Sequence, residues 1–223
     1  MSSRQEDQPR RRGRRSADSP GGRDALIRAA TRCFADHGFE ATGIRMIAAN
    51  AEAAPNLVAV HFGNKEGLWL ACVESLAQVL APKIGALVAL AQHSEADLRD
   101  RLKLAIGMTA AYYDQNPDLR GFIARGSLES PPKAELIAER LLKPLFQAAR
   151  PLIQQGIDSG MIPIADAAMV FVILNAALGQ PDRMASALAI LSSQQPEPDV
   201  SARIGDALAQ LLLQPERADD RKP

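Results

Sequence analysis

Apolar residues recur every three or four positions along most of this chain, the spacing that places them on one face of an α-helix. The first run predicts a helix that begins at Arg23 and ends at Gly38, since glycine commonly stops helices. Its recurring positions are Leu26, Ile27, Ala30, Phe34 and His37. A short second helix follows, for which Thr42 is a suitable N-cap. The face behind this cap carries Ile44, Ile47, Ala48 and Ala51.

The segment from Pro55 to Leu68 predicts a joint between two further helices. Pro55 suits the first position of a third helix, 55–61, where its missing amide hydrogen would be unpaired in any case. Gly63 ends that helix, and Asn64 caps a long fourth helix.

The remainder of the chain is rich in alanine and leucine and has no hairpin signal, so we predict an all-α fold. Pro144 and Pro151 predict that the segment 132–159 is kinked or split, because proline removes an amide donor and clashes with the preceding turn. The predicted helices span 65–91, 95–115, 117–129, 132–159, 165–180, 182–193 and 199–213.

Both ends of the chain lack the apolar side chains that a folded segment needs. Residues 1–22 contain one alanine and one methionine as their only apolar residues, and we predict a disordered arm there and a disordered tail at 215–223. The arm carries "RRRGRR", which would contact DNA phosphates, through Arg14 and Arg15 among others, or would serve as a solubilising tail. Residues 1–65 hold a net charge of +4 and residues 66–223 hold −4, so the basic charge is at the front.

The composition favours a soluble cytoplasmic protein. Cys33 and Cys72 each lie inside an apolar helical run, as expected for buried thiols in a reducing compartment. No hydrophobic region of a signal peptide follows the N-terminus, and the apolar runs 84–91 and 167–174 are too short to cross a membrane.

A helix, a short helix, a tight turn, a short third helix and a long fourth helix within about 45 residues are typical of a helix-turn-helix DNA-binding domain. Residues 23–68 also resemble the N-terminal domain of TetR-type transcriptional regulators. The matching features are Ala29-Ala30, Phe34, Gly38, Thr42, Ile47-Ala48, Ala51 and the stretch from His61-Phe62 through Gly63-Asn64-Lys65-Glu66-Gly67-Leu68. The resemblance implies a DNA-binding domain at 23–68 and a helical ligand-binding and dimerisation domain at 69–214.

The resemblance also implies which residues meet DNA. The family's counterpart of Thr42 contacts a phosphate, that of Lys65 grips the backbone, and the third helix reads bases. On that helix Asn56 can bond adenine through two hydrogen bonds, while Leu57 or Ala59 can meet a thymine methyl. The remaining predicted DNA-contacting residues are Arg45, Pro55 and His61, the last as a structural or phosphate-contacting histidine rather than a metal ligand.

Four positions depart from the family pattern, among them Ala54, which replaces a hydroxylated or amide cap residue. Glu52 stands where the turn glycine is usual, so it must take a strained backbone conformation or alter the turn. Ala59 and Val60 occupy positions where a phosphate-binding tyrosine is usual. We therefore expect affinity to depend more on Arg45, Lys65 and the arginine arm.

The C-terminal helices predict an effector site and a dimer. Tyr112, Phe122, Arg125 and Phe146 are candidate ligand-binding residues, although plain core packing, or for Arg125 a side chain that reaches solvent, explains them as well. The resemblance implies a homodimer through the last helices, with Met169, Phe171, Val172, Leu174, Leu208 and Leu212 as candidate interface residues.

The predicted function is a TetR-like regulator, a repressor that leaves a palindromic operator when a small molecule binds. The alternative is a helical ligand-binding or interaction protein whose DNA-reading surface has degenerated. We find no phosphate loop, nucleophile elbow, metal-ligand spacing or paired acids, so we predict no enzymatic activity and no cofactor.

Overall fold

The structure is a computed structural model that describes residues 22–93, 95–191 and 199–214. Every regular element within these ranges is a helix, which confirms the all-α prediction, and most bounds agree with the prediction to within three residues. The helices are α1 Arg23–Ala41, α2 Ile44–Asn50, α3 Asn56–Phe62, α4 Lys65–Gln92, α5 Leu98–Gln115, α6 Pro117–Gly126, α7 Pro131–Ile137, a π-helical turn Ala138–Leu142, α8 Lys143–Asp158, α9 Ala167–Leu178, α10 Pro181–Leu191 and α11 Val200–Leu212.

The joint between α3 and α4 forms as predicted. Gly63 ends α3 with a φ of +79°, and the Asn64 side chain accepts a hydrogen bond of 2.8 Å from the Gly67 amide. Asn64 is therefore the N-cap of α4, and the caps fix the angle at which α4 leaves the helix-turn-helix.

Thr42 is not the N-cap that the sequence suggested. Its side chain is fully buried, and the hydroxyl donates to the carbonyl oxygens of Gly38 at 2.7 Å and Cys33 at 3.1 Å. Gly43 occupies the N-cap position of α2 and provides no side-chain cap. α1 breaks at Gly38, whose φ is +80°, and a helix break leaves carbonyl oxygens without helical partners. The prediction was wrong because the Thr42 hydroxyl bonds to carbonyl oxygens of α1 and does not cap α2.

The predicted break in 132–159 appears as the π-helical turn Ala138–Leu142, directly before Pro144. A wider turn avoids the clash that the proline ring would make with the carbonyl four residues before it. Pro151 lies inside α8 and Pro82 inside α4 without ending either helix.

One apolar core runs through the described residues, from Leu26 in α1 to Leu213 after α11. α1 packs along α6 and α4, α8 packs against α4 and α9, and α11 packs on α5. Both cysteines are buried and free, as predicted, and burial raises the pKa of the Cys72 thiol to about 12. The proposed division at 68/69 stays a prediction, since the core crosses it.

By length and composition alone, α4 is long and apolar enough to cross a membrane, contrary to the expectation from the shorter apolar runs. A core helix of a soluble protein meets the same criteria. α4 buries one face against α1 and α8, and that face includes Lys83.

Candidate nucleic-acid interface and apolar cavity

The turn between α2 and α3 is a Schellman motif with glutamate at its critical position. The Ala53 amide donates to the Ala48 carbonyl at 2.9 Å, and the Glu52 amide donates to the Ala49 carbonyl at 3.2 Å. Glu52 has a φ of +52° and is the one non-glycine residue with positive φ among those described. The expectation of a strained Glu52 backbone is therefore confirmed, and the turn keeps its geometry without glycine.

The turn presents one face of α3 to solvent. Val58 is fully buried and anchors the helix, while Asn56, Ala59, Val60 and His61 are exposed, Val60 by 70%. Pro55 and Arg45 are exposed as well, Arg45 on α2. Leu57 is half-buried and packs against the core, so its thymine contact stays a prediction. The exposed face of α3 therefore offers Asn56 and His61 as hydrogen-bonding side chains.

Thr42 and Lys65 are less available for phosphates than the resemblance implied. The buried Thr42 hydroxyl cannot reach solvent. The Lys65 ammonium lies 3.5 Å from the Glu40 carbonyl oxygen and 4.2 Å from the centre of the Phe39 ring, at the surface of the joint. Arg14 and Arg15 lie outside the described residues.

α6 and the turn that follows it hold the broken end of α1 through two polar contacts that the sequence did not suggest. The Arg125 guanidinium donates to the Asp36 carbonyl at 2.7 Å, and the Phe39 amide donates to the Glu129 carboxylate at 2.6 Å. Gly121 brings the helices close, because a Cβ there would lie 3.0 Å from the Cβ of Ala35. Arg125 is exposed, as its reading as a side chain that reaches solvent predicts, and its contact with Asp36 joins the DNA-binding helices to the rest of the chain.

An aromatic cluster lies under the same contact. The Phe122 ring stacks on Trp69 with centres 5.9 Å apart and meets the edge of Phe34 at 6.3 Å, while Phe39 packs against Phe34 and Trp69. Phe122 is therefore core, which corrects its assignment as a ligand-binding residue.

A narrow apolar cavity of about 60 Å³ lies between α4, α5, α8 and α9. Two polar side chains lie at its wall: Thr109, whose hydroxyl donates to Ala105, and Asn175, whose carbonyl oxygen accepts the Tyr113 hydroxyl at 2.5 Å. Burial raises the pKa of Tyr113, so this hydroxyl stays a donor. The other wall residues are Leu87, Leu102, Ala105, Ile106, Leu145, Ala149, Leu152, Ile153, Phe171, Leu174 and Leu178.

None of the four predicted ligand-binding residues lines this cavity. Tyr112 donates its hydroxyl to the Val79 carbonyl, and Phe146 touches the wall indirectly, with its ring centre 5.4 Å from that of Phe171. Helical spacing identified inward faces, but it could not tell which inward faces leave a space between them.

The candidate dimer residues divide between two environments. Met169 and Val172 are 52% and 58% exposed, and with Ile173, Met184 and Leu188 they form an apolar face on α9 and α10. Phe171 and Leu174 line the cavity, Leu212 is buried and Leu208 packs on the core, so these four make contacts within the chain. We call the exposed set the α9–α10 face.

The described residues contain no group of three or more His, Cys, Asp or Glu side chains placed to hold a metal ion. The exposed apolar and amide groups of α3 lie on the face that a helix-turn-helix turns outward.

Comparisons with known proteins also indicate a DNA-binding helix-turn-helix domain. Residues 26–72 match the model of the bacterial regulatory proteins of the tetR family. Residues 26–72 therefore resemble the helix-turn-helix domain of that family, and the chain as a whole has the all-helical fold of solved transcriptional regulators. No curated protein sequence matches the chain.

Similar solved structures cover most of the chain. HlyIIR, a hemolysin II transcriptional regulator, superposes with a TM-score of 0.65 at 15% identity, over 86% of this chain and 97% of its own. The fatty acid degradation regulator FadR from Bacillus halodurans gives 0.61 at 18% identity, over 90% and 97%. FadR from Bacillus subtilis, in complex with stearoyl-CoA, gives 0.61 at 17% identity, over 85% and 97%.

Proposed function

We propose that this protein is a homodimeric transcriptional repressor that binds a palindromic operator and leaves it when a small molecule enters the apolar cavity. The observation that carries the proposal is the exposed face of α3, held by a helix-turn-helix of the TetR family. Such a helix enters the major groove, while phosphate contacts fix its register.

Asn56 is the residue that would read sequence. It is exposed at the start of α3, and its side chain amide can both donate to and accept from adenine. Ala59 and Val60 offer methyl groups to thymine. Arg45 and the arm that includes Arg14 and Arg15 would supply phosphate contacts.

Selection of bound sequences from random double-stranded DNA tests the proposal. We expect an enriched palindrome with half-sites about one helical turn apart, which matches two symmetry-related α3 helices. Asn56→Ala should weaken binding to that palindrome by about 5- to 150-fold and relax the preference for one base pair. Gln147→Ala, on the exposed side of α8, is the matched control. Selection without enrichment would refute sequence-specific DNA binding.

The arginine arm has its own test, because phosphate contacts release counterions. Removal of "RRRGRR" should weaken the dependence of DNA affinity on salt concentration. An unchanged slope would show that the arm does not contact DNA.

The α9–α10 face supports the dimer. Its exposed Met169, Val172, Ile173, Met184 and Leu188 are apolar, and exposed apolar side chains on these two helices are what an interface between two copies would bury. A second copy seated there would place the two α3 helices in a two-fold arrangement, as a palindrome requires. Light scattering at micromolar concentration should give the dimer mass.

The position of the cavity supports an effector that acts by moving the helices that line it. Four helices line it, and a molecule much larger than this narrow space would move them apart on binding. α5 forms one wall and leads directly into α6, and Arg125 of α6 and Glu129 just after it contact Asp36 and Phe39 of α1. α4 forms another wall and leads directly from α3. A ligand that prefers the moved arrangement would release DNA by linkage.

The mostly alkyl wall of the cavity indicates an apolar effector. FadR from Bacillus subtilis, whose structure contains stearoyl-CoA, has the same fold and supports this class of ligand. Separations of the two α3 helices that are identical with and without effector would contradict the release mechanism.

A second candidate function is that of a helical ligand-binding protein without specific DNA binding. Ala59 and Val60 are exposed and carry no hydrogen-bonding group, and the Lys65 ammonium lies against Phe39 and Glu40. The same DNA selection separates the two, since this candidate predicts no enriched sequence while ligand binding persists.

A further inference from the structure

A second, wider cavity adjoins the narrow apolar one. It has a volume of about 240 Å³ and lies between the end of α5, α6, the π-helical turn and α9. Phe171 and Asn175 belong to the walls of both cavities, so the two spaces meet along α9. Together they provide about 300 Å³, which is the lower end of the size range of small-molecule sites.

The wider cavity opens at the protein surface. Tyr113 and Ile123 form its buried part, at 2% and 5% exposure. Ser127, Val172 and Ala176 also line it and are exposed, so the opening lies between the end of α6 and α9. Val172 belongs to the α9–α10 face as well, and a second copy seated on that face would border the opening.

Two amide side chains in the wall have unused hydrogen-bond donors. The Asn175 oxygen accepts the Tyr113 hydroxyl at 2.5 Å, and the Gln180 oxygen accepts from Arg183 at 2.9 Å. Burial raises the pKa of Tyr113, so its hydroxyl stays protonated and continues to occupy the Asn175 oxygen. The amide nitrogens of Asn175 and Gln180 make no hydrogen bond within the described part of the chain. The wall therefore offers donors, and a matching occupant must supply an acceptor.

The charge in the wall is already balanced. Arg120 is the one charged residue in the described wall of this cavity. Its guanidinium donates to the carboxylates of Asp114 at 3.4 Å and Asp182 at 2.5 Å. An anionic occupant would meet these two carboxylates beside the cation, and it would have to displace one of them to pair with Arg120. An uncharged acceptor avoids that repulsion, so the wall favours a neutral molecule over an acid.

We propose that the wider cavity binds an uncharged, largely apolar molecule that carries a carbonyl group, with the side-chain amides of Asn175 and Gln180 as its donors. Ile123, Leu142 and Phe171 supply apolar contacts for the rest of the molecule. The amide donors select for the carbonyl, because a molecule without an acceptor leaves them unpaired. The proposal deepens the proposed function, and it rests on that function only in taking the occupant as the effector.

Calorimetry with three probes that share a phenyl ring and a three-carbon side chain tests the proposal: propiophenone, propylbenzene and 3-phenylpropanoate. A wall without donors would prefer propylbenzene, because the ketone loses its hydrogen bonds to water on entry. We expect the reverse order, with propiophenone binding at least about threefold more tightly than propylbenzene. The anionic 3-phenylpropanoate should bind least tightly, because of the carboxylates that already pair with Arg120.

Two variants assign the donors. Asn175→Leu and Gln180→Met each remove an amide and keep a side chain of similar size. Each should lower propiophenone affinity by about 2- to 10-fold and leave propylbenzene affinity nearly unchanged. Gln147→Met, on the exposed side of α8, is the matched control and should bind propiophenone as the natural protein does.

Binding of propylbenzene or 3-phenylpropanoate as tight as that of propiophenone would overturn the proposal. Full propiophenone affinity in both variants, or no binding of propiophenone at all, would overturn it as well. The order of the three probes on the natural protein decides the question even if a variant fails to fold. Because these measurements contain no DNA, their failure is distinct from a failure of DNA selection.

Discussion

Replacing Glu52 by glycine should stabilise this protein, although the change removes a side chain and adds no contact. Glu52 holds the left-handed position of the turn between α2 and α3, with a φ of +52°. That conformation costs a residue with a Cβ about 1–2 kcal/mol. Glycine avoids this cost but loses about 0.5–1 kcal/mol of additional backbone entropy on folding. The expected net gain is about 0.5–1 kcal/mol.

Urea denaturation and thermal melting measure this gain. For a chain of this size a gain of that order corresponds to a rise in Tm of about 1–4 °C. The two hydrogen bonds of the turn, from Glu52 to Ala49 and from Ala53 to Ala48, involve only backbone atoms and should persist.

Two control variants separate backbone strain from charge. Glu52→Ala removes the carboxylate but keeps the Cβ, so it should show little or no gain, while Glu52→Asn should lie between alanine and glycine because asparagine tolerates the left-handed region. A gain in the alanine variant equal to that of glycine would show that charge, and not strain, is responsible. Destabilisation by glycine would refute the left-handed turn itself.

Two further predictions concern the C-terminal helices. Burial lowers the pKa of Lys83 in α4 from 10.5 to about 8, and its ammonium group makes no hydrogen bond within the described part of the chain. Lys83→Met should therefore stabilise the fold by on the order of 3 kcal/mol below about pH 8, where lysine is protonated in both the folded and unfolded chains, and the gain should shrink as the pH rises towards 10.5. Urea titrations at several pH values measure this difference, and a gain independent of pH would contradict it. Val172→Arg places a charge on the α9–α10 face and should convert the dimer to a monomer in light scattering, whereas Gln147→Arg should not. A Val172→Arg dimer would exclude this face as the interface.

Local signals in the sequence predicted local structure well. Asn64 caps α4, a π-helical turn precedes Pro144, and Glu52 adopts the strained conformation that its place in the turn demanded. In each case a single residue type limits the backbone near it, so neighbours distant in sequence have little influence.

Contacts between distant helices were harder to foresee. Thr42 is a good N-cap by residue type, but its hydroxyl bonds the carbonyls of Gly38 and Cys33 because α1 breaks beside it. Leu57 has the spacing of a surface residue on α3 and packs inward. Helical periodicity assigns a face to each residue, and it does not say which other helix that face meets.

The candidate site shows the same difference between local structure and contacts among distant helices. The helix-turn-helix depends on local caps and turns, and it was found from sequence. The cavity depends on how α4, α5, α8 and α9 fit together, and its wall shares no residue with the predicted ligand set. The unpaired state of Lys83 is equally invisible in the sequence, where a lysine within a helix is ordinarily solvent-exposed.

Because the Phe39 amide donates to the Glu129 carboxylate, the exchange rate of this one amide hydrogen reports whether α1 and the turn after α6 are in contact. Phe39 follows the break in α1, so its amide loses its partner if the turn after α6, which carries Glu129, moves away. Hydrogen–deuterium exchange at this single position should therefore be slow while α1 and α6 are engaged and should accelerate when they part. Exchange at the Phe39 amide, measured with and without operator or effector, would show whether α1 separates from its contact at Glu129, and it needs no probe attached to the protein.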